Sequence, residues 1–284
     1  MSSANETDTS SDSGPVVIEA DRDRPGAFTV LLDGTPQSYV DTGDPTNLVF
    51  EYVRRIGHVI DLARPSGEPI TAVHLGGGGF TLARYVAATR PGSRQQVLEA
   101  DRTLIDAVRA AAPLPKREQI KIRCADAALA ASVLPPGMHS TVDVLVVDVF
   151  AGARTPAGLT TSEFFASLVP LLAPGAVVVL NIADGAPLAF ARSVTATVAG
   201  VFGGPAESSV AIAAEPAVLK GRRFGNLVLV TGVVPDGLAR RLAGDPFPGT
   251  LLEGAEVTRF VGGAKPFTSA NAQESPMPPR GVFG

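Results

Sequence analysis

The stretch AVHLGGGGFTL at residues 72–82 decides the fold of this chain. Residues 72–75 form a short apolar segment typical of a buried strand, residues 76–79 are four consecutive glycines, and a helical pattern starts at Phe80. Glycines at the end of a strand let a ligand approach the backbone closely and leave the N-terminus of the next helix open to it. A glycine-rich turn alone also fits a plain strand–helix connection, so the neighbouring segments must decide.

Apolar segments and helical patterns alternate on both sides of this turn. Fully apolar strands separated by helices indicate a parallel sheet that is covered on both faces, so we predict an α/β fold with seven strands. The last predicted helix carries Pro187 in its first turn, where a missing N–H costs little. The predicted strands are residues 72–75, 95–98, 119–122, 142–147, 176–182, 210–214 and 227–234, and the predicted helices are residues 47–62, 81–89, 102–111, 125–133, 161–172 and 187–201.

Four regions are expected along the chain. Residues 1–14 are rich in Ser, Asp and Thr and predict a disordered tail, and residues 262–284 form a Pro- and Gly-rich tail that is expected to run irregularly over the surface. Between them, residues 15–45 predict a small β-hairpin element around an Asp-Gly turn pair. Residues 46–261 form the nucleoside-binding domain that the following paragraphs describe.

The composition excludes several function classes. With 284 residues and a net charge of −4, the chain lacks the basic surface that nucleic-acid binding needs. Its single cysteine, Cys124, excludes a disulfide framework and is expected in the core, and its three histidines lack metal-ligand spacing. No apolar run reaches the ~20 residues of a membrane helix, and no secretory signal is visible. We expect a cytoplasmic protein that binds no metal, no membrane and no nucleic acid.

Three acids follow the ends of predicted strands, where ligands bind in open α/β sheets. Glu99 ends the second strand, 23 residues past the first glycine, and is placed to bind the two hydroxyls of a ribose. Asp126 follows the third strand and either accepts a hydrogen bond from an adenine amino group or caps the next helix, with the two roles even. Asp148 ends the fourth strand, where a carboxylate is costly unless it is paired or used, so a functional role is favoured.

Other polar residues fit structural roles better. Asp101 is expected to cap the helix that follows it, and Thr160 with Glu163 has the spacing of a capping box. The basic segment KGRR at residues 220–223 is favoured as a solvated turn between two strands, with contact to an anionic acceptor as the alternative.

These residues together resemble the spermidine synthase family, the polyamine aminopropyltransferases. The resemblance implies a methyltransferase-like Rossmann fold with a seven-strand, mostly parallel sheet and a small N-terminal β element, and it also implies a homodimer. The matching segments are LDGTPQ at residues 32–37, GGG at residues 76–78, Glu99, the pair Asp126-Ala127, Asp148 and LTTSEFF at residues 159–165.

The resemblance also implies roles for single residues. Asp148 is the implied catalytic residue, a proton acceptor. The co-substrate is implied to be S-adenosylmethionine or its decarboxylated form, with a small-molecule amine or another acceptor as the second partner. The residues implied to bind the donor nucleoside are Gln37, Gly76, Gly77, Gly78, Glu99, Asp126 and Ala127.

The chain departs from the family pattern in the half of the site that holds amino groups. Gly79 and Ala151 stand where the family has aspartates, and the chain has no tryptophan. The nearest match to the family's Tyr-His-Glu segment is residues 49–52. Candidate substitutes for the missing acids are Asp184, Asp41 and Asp44, each of which also fits a loop role.

Several functions therefore compete. The favoured one is transfer of an aminopropyl group to an amine, and the alternatives are an AdoMet-dependent methyltransferase or an inactive nucleoside-binding homologue. Glycine N–H groups without a neighbouring aspartate would tolerate the carboxylate of AdoMet. Gly79 therefore slightly favours AdoMet over its decarboxylated form as the co-substrate. Dinucleotide redox chemistry ranks lowest because Phe80 and Thr81 interrupt a GxGxxG pattern.

Overall fold

The computed structural model of the protein describes residues 14–115, 119–203 and 210–279. Apart from Gly14, the predicted tail at residues 1–14 lies outside the described residues, as do the last five residues of the predicted C-terminal tail. None of the described helices has the length and apolar character needed to cross a membrane.

A small antiparallel sheet opens the described chain. Its strands, in spatial order, are β1 (Val16–Ala20), β2 (Ala27–Leu32) and β3 (Thr35–Asp41). The last two form the predicted hairpin, and both turn residues between them, Asp33 and Gly34, have positive φ. The sequence prediction lacked β1, which pairs with β2 along its whole length.

The main sheet has eight strands among the described residues, one more than predicted. They are β4 (Thr71–Leu75), β5 (Arg94–Glu99), β6 (Gln119–Cys124), β7 (Val142–Val147), β8 (Leu172–Asp184), β9 (Val210–Ala214), β10 (Gly225–Gly232) and β11 (Thr250–Leu252). Their spatial order is β11-β9-β10-β8-β7-β4-β5-β6, parallel from β8 to β6 and antiparallel from β8 to β11. The unpredicted strand is β11, because three residues are too few to show a strand period in the sequence.

Helices connect these strands, and four of the six predicted helices were wrong in detail. The helix predicted at residues 47–62 begins only at Glu51, and of residues 125–133 only Ala130–Val133 are α-helical, after a 3₁₀ turn at Ala127–Leu129. Residues 161–172 are helical only to Leu168, and the chain then passes through a 3₁₀ turn containing Pro170 into β8. Pro187 lies before its helix, which starts two residues later. The helices are α1 (Glu51–Leu62), α2 (Thr81–Thr89), α3 (Arg102–Ala111), α4 (Ala130–Val133), α5 (Ser162–Leu168), α6 (Ala189–Phe202), α7 (Pro216–Leu219), α8 (Leu238–Ala243) and α9 (Ala255–Val261).

Both faces of the main sheet are covered, as the apolar strands predicted. Val73 and Leu75 of β4 face the core formed with α5, α6 and α9, whereas Ala72 faces the core formed with α1, α2 and α8. A third apolar cluster, which includes Val40 and Phe80, packs the N-terminal sheet onto α2 and α3. The N-terminal sheet therefore lies over the glycine turn that follows β4.

Cys124 is exposed, so its predicted place in the core was wrong. The reason is its position on β6, which is the edge strand of the main sheet.

Candidate functional site

The glycine turn after β4 is fixed by contacts to both neighbouring strands. The N–H of Gly76 donates to the Leu98 carbonyl at 2.9 Å, and the N–H of Asp148 donates to the Leu75 carbonyl at 2.8 Å. Gly76 has a φ of 90°, and a Cβ there would lie 2.0 Å from the carbonyl oxygen of Asp148. Only glycine fits this position, so the turn brings the ends of β4, β5 and β7 against one another.

Glu99, at the end of β5, holds the same turn from the side. Its Oε2 accepts hydrogen bonds from the N–H groups of Gly77 at 2.8 Å and Gly78 at 3.2 Å. Its Oε1 accepts from the N–H of Asp101 at 3.0 Å. The acid predicted to bind ribose is therefore already oriented by the backbone, which pre-organises its carboxylate at the cavity wall.

Gly79 has no room for the aspartate that the family carries there. Its N–H donates to Oγ of Ser38 at 2.9 Å, and a Cβ at Gly79 would lie 2.5 Å from Cγ2 of Val40. Both partners belong to β3, so the packing of the N-terminal sheet onto the turn excludes a side chain at this position.

The four glycine amides are therefore all engaged within the chain. Leu98, Glu99 and Ser38 accept their hydrogen bonds. A carboxylate of a co-substrate would have to displace Glu99 or Ser38 to reach these amides. The residue after the glycines, Phe80, is buried in the left-handed region with φ of 59°, a strained conformation that clusters at functional sites.

A cavity of about 380 Å³ lies over this turn, and we call it the donor cavity after the donor that the sequence resemblance implies. Its lining includes each residue predicted from the sequence to touch the donor or to catalyse: Gln37, Gly76, Gly77, Gly78, Glu99, Asp126, Ala127 and Asp148.

The charges of the donor cavity all have one sign. Among the described residues, its lining carries the carboxylates Glu99, Asp101, Asp126 and Asp148 and no lysine or arginine. The remaining titratable side chains there include His74, which stays neutral because burial lowers its pKa to about 4. The cavity is therefore suited to a positively charged ligand. No cluster of His, Cys, Asp and Glu among the described residues is arranged to hold a metal ion.

Two of these carboxylates also cap helices. Asp101 accepts a hydrogen bond from the N–H of Leu104 at 3.0 Å, as predicted. Asp126 accepts one from the N–H of Ala128 at 2.8 Å and starts a 3₁₀ turn. Since that bond uses Oδ1, the capping role leaves Oδ2 for a ligand, and the two predicted roles of Asp126 are compatible.

The predicted capping box is shifted by one residue. Thr161, not Thr160, caps α5 and accepts a hydrogen bond from the N–H of Phe164 at 3.1 Å. Glu163 instead accepts from the N–H of Ser269, so it anchors a distant segment of chain.

Asp148 lies at the end of β7 and lines the donor cavity. Burial raises the pKa of Asp148 to about 6, with a hydrogen bond from Asn181 opposing the shift and the charge of Glu99 adding to it. Nδ2 of Asn181 donates to Oδ1 of Asp148 at 2.8 Å. A carboxylate with this pKa is ionised at neutral pH and is able to accept a proton.

Sequence reasoning did not place Tyr52, in the first turn of α1, among the candidate site residues. It lines the donor cavity, and burial together with the charge of Asp148 raises the pKa of Tyr52 well above its usual value, so the hydroxyl stays protonated. The only signal in the sequence was the weak match of residues 49–52 to the family's Tyr-His-Glu segment.

None of the three candidate substitute acids lines the donor cavity. Asp184 accepts hydrogen bonds from the N–H groups of Gly185 and Ala191. Asp41 pairs with Arg24 and accepts from Asn47, and Asp44 binds the neighbouring Thr46. These acids hold loops and helix ends together, so of their two candidate roles the loop role is the one that the contacts support.

The C-terminal segment fastens the loop that closes the donor cavity. Ser275 is fully buried, and its Oγ accepts from the N–H of Thr155 at 2.8 Å while its carbonyl accepts from Nε of Arg154 at 2.8 Å. Glu274 forms an ion pair with Arg154 at 2.6 Å. Residues near 150–159 of this loop line the cavity, so the C-terminal segment contributes to its shape.

Comparisons with known proteins agree with this architecture. No protein-family model matches the chain. A probable spermidine synthase from Corynebacterium glutamicum is 33% identical, with a TM-score of 0.79 over 89% of this chain and 92% of that one. A human methyltransferase-like protein 13 in complex with SAH is 18% identical with a TM-score of 0.50, over 78% of this chain and 96% of that one, which indicates a shared fold.

A curated sequence is also similar. A polyamine aminopropyltransferase of Chromobacterium violaceum is 30% identical over 148 residues, which are 52% of this chain. The match spans about half of that relative, 54% of its length.

Proposed function

Because this chain belongs to the spermidine synthase family, we propose that it transfers the aminopropyl group of decarboxylated S-adenosylmethionine to an amine. The observation that carries the proposal is the charge of the donor cavity, with four carboxylates and no lysine or arginine among the described lining residues. The decarboxylated donor carries a sulfonium and an ammonium and no anion, so it complements this lining.

The alternative donor, AdoMet, fits less well. Its carboxylate would need a cation or free backbone amides. The described lining carries no lysine or arginine, and the amides of residues 76–79 are bound within the chain. An unpaired anion in a cavity lined by carboxylates is repelled by all of them. The methyltransferase alternative has no comparable observation in its favour.

The proposed reaction uses Asp148 as the base. An acceptor ammonium gives one proton to the ionised carboxylate of Asp148, and the nitrogen lone pair then forms a bond to the donor carbon next to the sulfonium. The carbon–sulfur bond breaks with its electron pair going to sulfur, which leaves a neutral thioether and a secondary ammonium product. Charge balances, and Asp148 later releases its proton to solvent. Since the thioether is a good leaving group, the protein mainly positions the reactants and removes the proton.

Calorimetric titration tests the donor. Decarboxylated AdoMet, AdoMet and methylthioadenosine are titrated into the protein and into Glu99→Gln, with Glu256→Gln on the exposed first turn of α9 as the matched control. We expect the decarboxylated donor to bind at least about tenfold tighter than AdoMet, and Glu99→Gln to weaken it by about tenfold or more through loss of charged hydrogen bonds.

The other outcomes reject the proposal in different ways. Tighter binding of AdoMet would point to methyl transfer. Absence of binding by all three compounds would leave only a shared fold.

A further inference from the structure

A second cavity of about 390 Å³ opens beside the donor cavity, and we call it the acceptor cavity. The two are contiguous because they share part of their walls. The shared lining residues are Gln37, Val49, Phe50, Tyr52, Phe150 and Gly152.

The acceptor cavity differs sharply from the donor cavity in charge. Its charged lining residues, among those described, are two glutamates and two arginines. Oε2 of Glu51 lies 3.0 Å from Nη2 of Arg55, and Oε2 of Glu215 lies 2.9 Å from Nη1 of Arg223. The lining is thus neutral as a whole and is built from two ion pairs, whereas the donor cavity is lined by acids.

Arg55 is the buried member of this set. Its side chain is 3% exposed, and its Nε is buried without a hydrogen-bond partner among the described residues. It lies on α1, whose first residue, Glu51, also lines the cavity. The N-terminus of α1, which is the positive end of its dipole, and the buried guanidinium of Arg55, whose Nε–H has no acceptor among the described residues, therefore lie in the same wall of the acceptor cavity.

The acceptor cavity is also lined by the residue that contacts the proposed base. Asn226 and Asn181 both line it, Nδ2 of Asn226 donates to Oδ1 of Asn181 at 3.0 Å, and Asn181 donates to Asp148. The lining that carries the two Glu–Arg pairs therefore includes Asn181, the hydrogen-bond partner of Asp148, so an acceptor in this cavity would lie beside both.

Resting on the aminopropyl transfer proposed above, we propose that the acceptor is a diamino acid, whose near-end amine reacts and whose far end carries both an ammonium and a carboxylate. The far-end ammonium pairs with Glu51 or Glu215, and the far-end carboxylate pairs with Arg55 or Arg223. Each charge at the far end of the ligand thereby contacts an opposite charge. Because the far end is neutral as a whole, the cavity with its ligand also stays neutral there.

Simpler amines satisfy this lining less well. The far-end ammonium of a plain diamine adds a positive charge beside Arg55 and Arg223, and the cavity carboxylates are already paired with them. A far-end carboxylate alone adds a negative charge beside Glu51 and Glu215. In each case one charge of the ligand is left without compensation in a partly buried site.

Three acceptors that differ only at the far end test this proposal. Putrescine carries an ammonium there, 5-aminopentanoate a carboxylate, and ornithine both. Release of methylthioadenosine from decarboxylated AdoMet is measured with each, and binding of each is measured by calorimetry with methylthioadenosine present. We expect the kcat/KM of ornithine to exceed that of the other two by about tenfold or more.

A pair of variants tests the named residues. Arg223→Gln changes a side chain that is 53% exposed, so it is expected to fold. It should raise the KM of ornithine by up to about tenfold while leaving or lowering that of putrescine, because it removes one of the two arginines proposed to pair with the carboxylate and frees Glu215. Arg222→Gln, the neighbouring exposed arginine outside both cavities, serves as the matched control.

The outcomes separate this proposal from the one on which it rests. If putrescine reacts as well as ornithine or better, aminopropyl transfer stands and the diamino acid is rejected. If the decarboxylated donor does not bind and no acceptor yields methylthioadenosine, both are rejected.

Discussion

Nδ2 of Asn181 donates a hydrogen bond of 2.8 Å to Oδ1 of Asp148, across the boundary between β8 and β7. Oδ1 of Asn181 accepts from Nδ2 of Asn226 at 3.0 Å, and this bond orients the amide so that its donor faces the carboxylate. The hydrogen bond from Asn181 favours the ionised form of Asp148, whereas burial disfavours it. Burial is the larger effect, and the pKa of Asp148 is raised to about 6. Burial therefore dominates the proton affinity of the proposed base, Asn181 opposes it, and Asn226 orients Asn181.

Asp148→Asn should slow turnover strongly without abolishing donor binding. General base catalysis contributes about 10²- to 10⁴-fold, so a loss of that order in kcat/KM is expected. In the unmodified protein, kcat/KM at low pH should rise through an apparent pKa near 6, because the carboxylate must be ionised to accept the proton. A pH profile that is flat between pH 5 and 8 would count against Asp148 as the base.

Asn181→Leu should move the rise of kcat/KM at low pH, the acidic limb of the pH profile, to higher pH. The lost hydrogen bond favoured the ionised carboxylate, so its removal raises the pKa of Asp148 further. Hydrogen bonds to charged groups contribute about 1.5–3 kcal/mol, which corresponds to a shift of about 1–2 pH units. Asn226→Leu is the matched control, since it leaves the bond to Asp148 in place and should shift the limb less. An unchanged limb in Asn181→Leu would contradict this account.

Asp148→Asn should also stabilise the protein at neutral pH. The pKa of Asp148 is higher in the folded chain than its ordinary value of 3.8, so the folded state holds the proton more tightly than the unfolded state. The free energy of unfolding therefore falls as pH rises from about 4 to 6. Relative to wild type, the variant should gain up to about 3 kcal/mol at pH 7 and nothing below pH 4, as measured by urea unfolding at both pH values.

Gly79→Asp, which restores the aspartate of the family, should destabilise the protein instead of improving it. A Cβ at this position would lie 2.5 Å from Cγ2 of Val40 and 3.0 Å from Cβ of Ser38. Overpacking of this kind costs about 1–3 kcal/mol. Thermal unfolding should show the loss for Gly79→Ala as well, whereas Gly137→Ala, which has open space around it, should unfold near the wild-type temperature.

Ser275→Ala should loosen the loop over the donor cavity. The substitution leaves the buried N–H of Thr155 without its acceptor, which costs about 1–3 kcal/mol in the free energy of unfolding. Donor affinity should fall together with stability, because the loop lines the cavity. Ser66→Ala, at an exposed position, is the control. Stability equal to wild type would show that the C-terminal segment does not hold the loop.

The main sheet and the acids at the carboxyl ends of its strands could be predicted from local patterns in the sequence. Apolar strands alternating with helices predicted the parallel sheet, and an acid at the end of each strand predicted that Glu99, Asp126 and Asp148 would lie together, as they do along one cavity. The strands that escaped prediction are β1 and β11, both short and at sheet edges. The capping residue of α5 was misplaced by one position because Thr160 and Thr161 are chemically equivalent in sequence.

The sequence by itself determined which residues stand at the ends of strands, since strand and helix periods are local and depend on neighbouring residues alone. The tertiary structure decided which of them meet. Asn181 lies 33 residues from Asp148 and Asn226 lies 45 residues from Asn181, and both pairs form because β7, β8 and β10 are neighbours in the sheet. The packing of β3 on the glycine turn likewise decided that Gly79 has no room for a carboxylate. These contacts depend on strand order and register, which cannot be derived from the spacing of apolar residues within one segment.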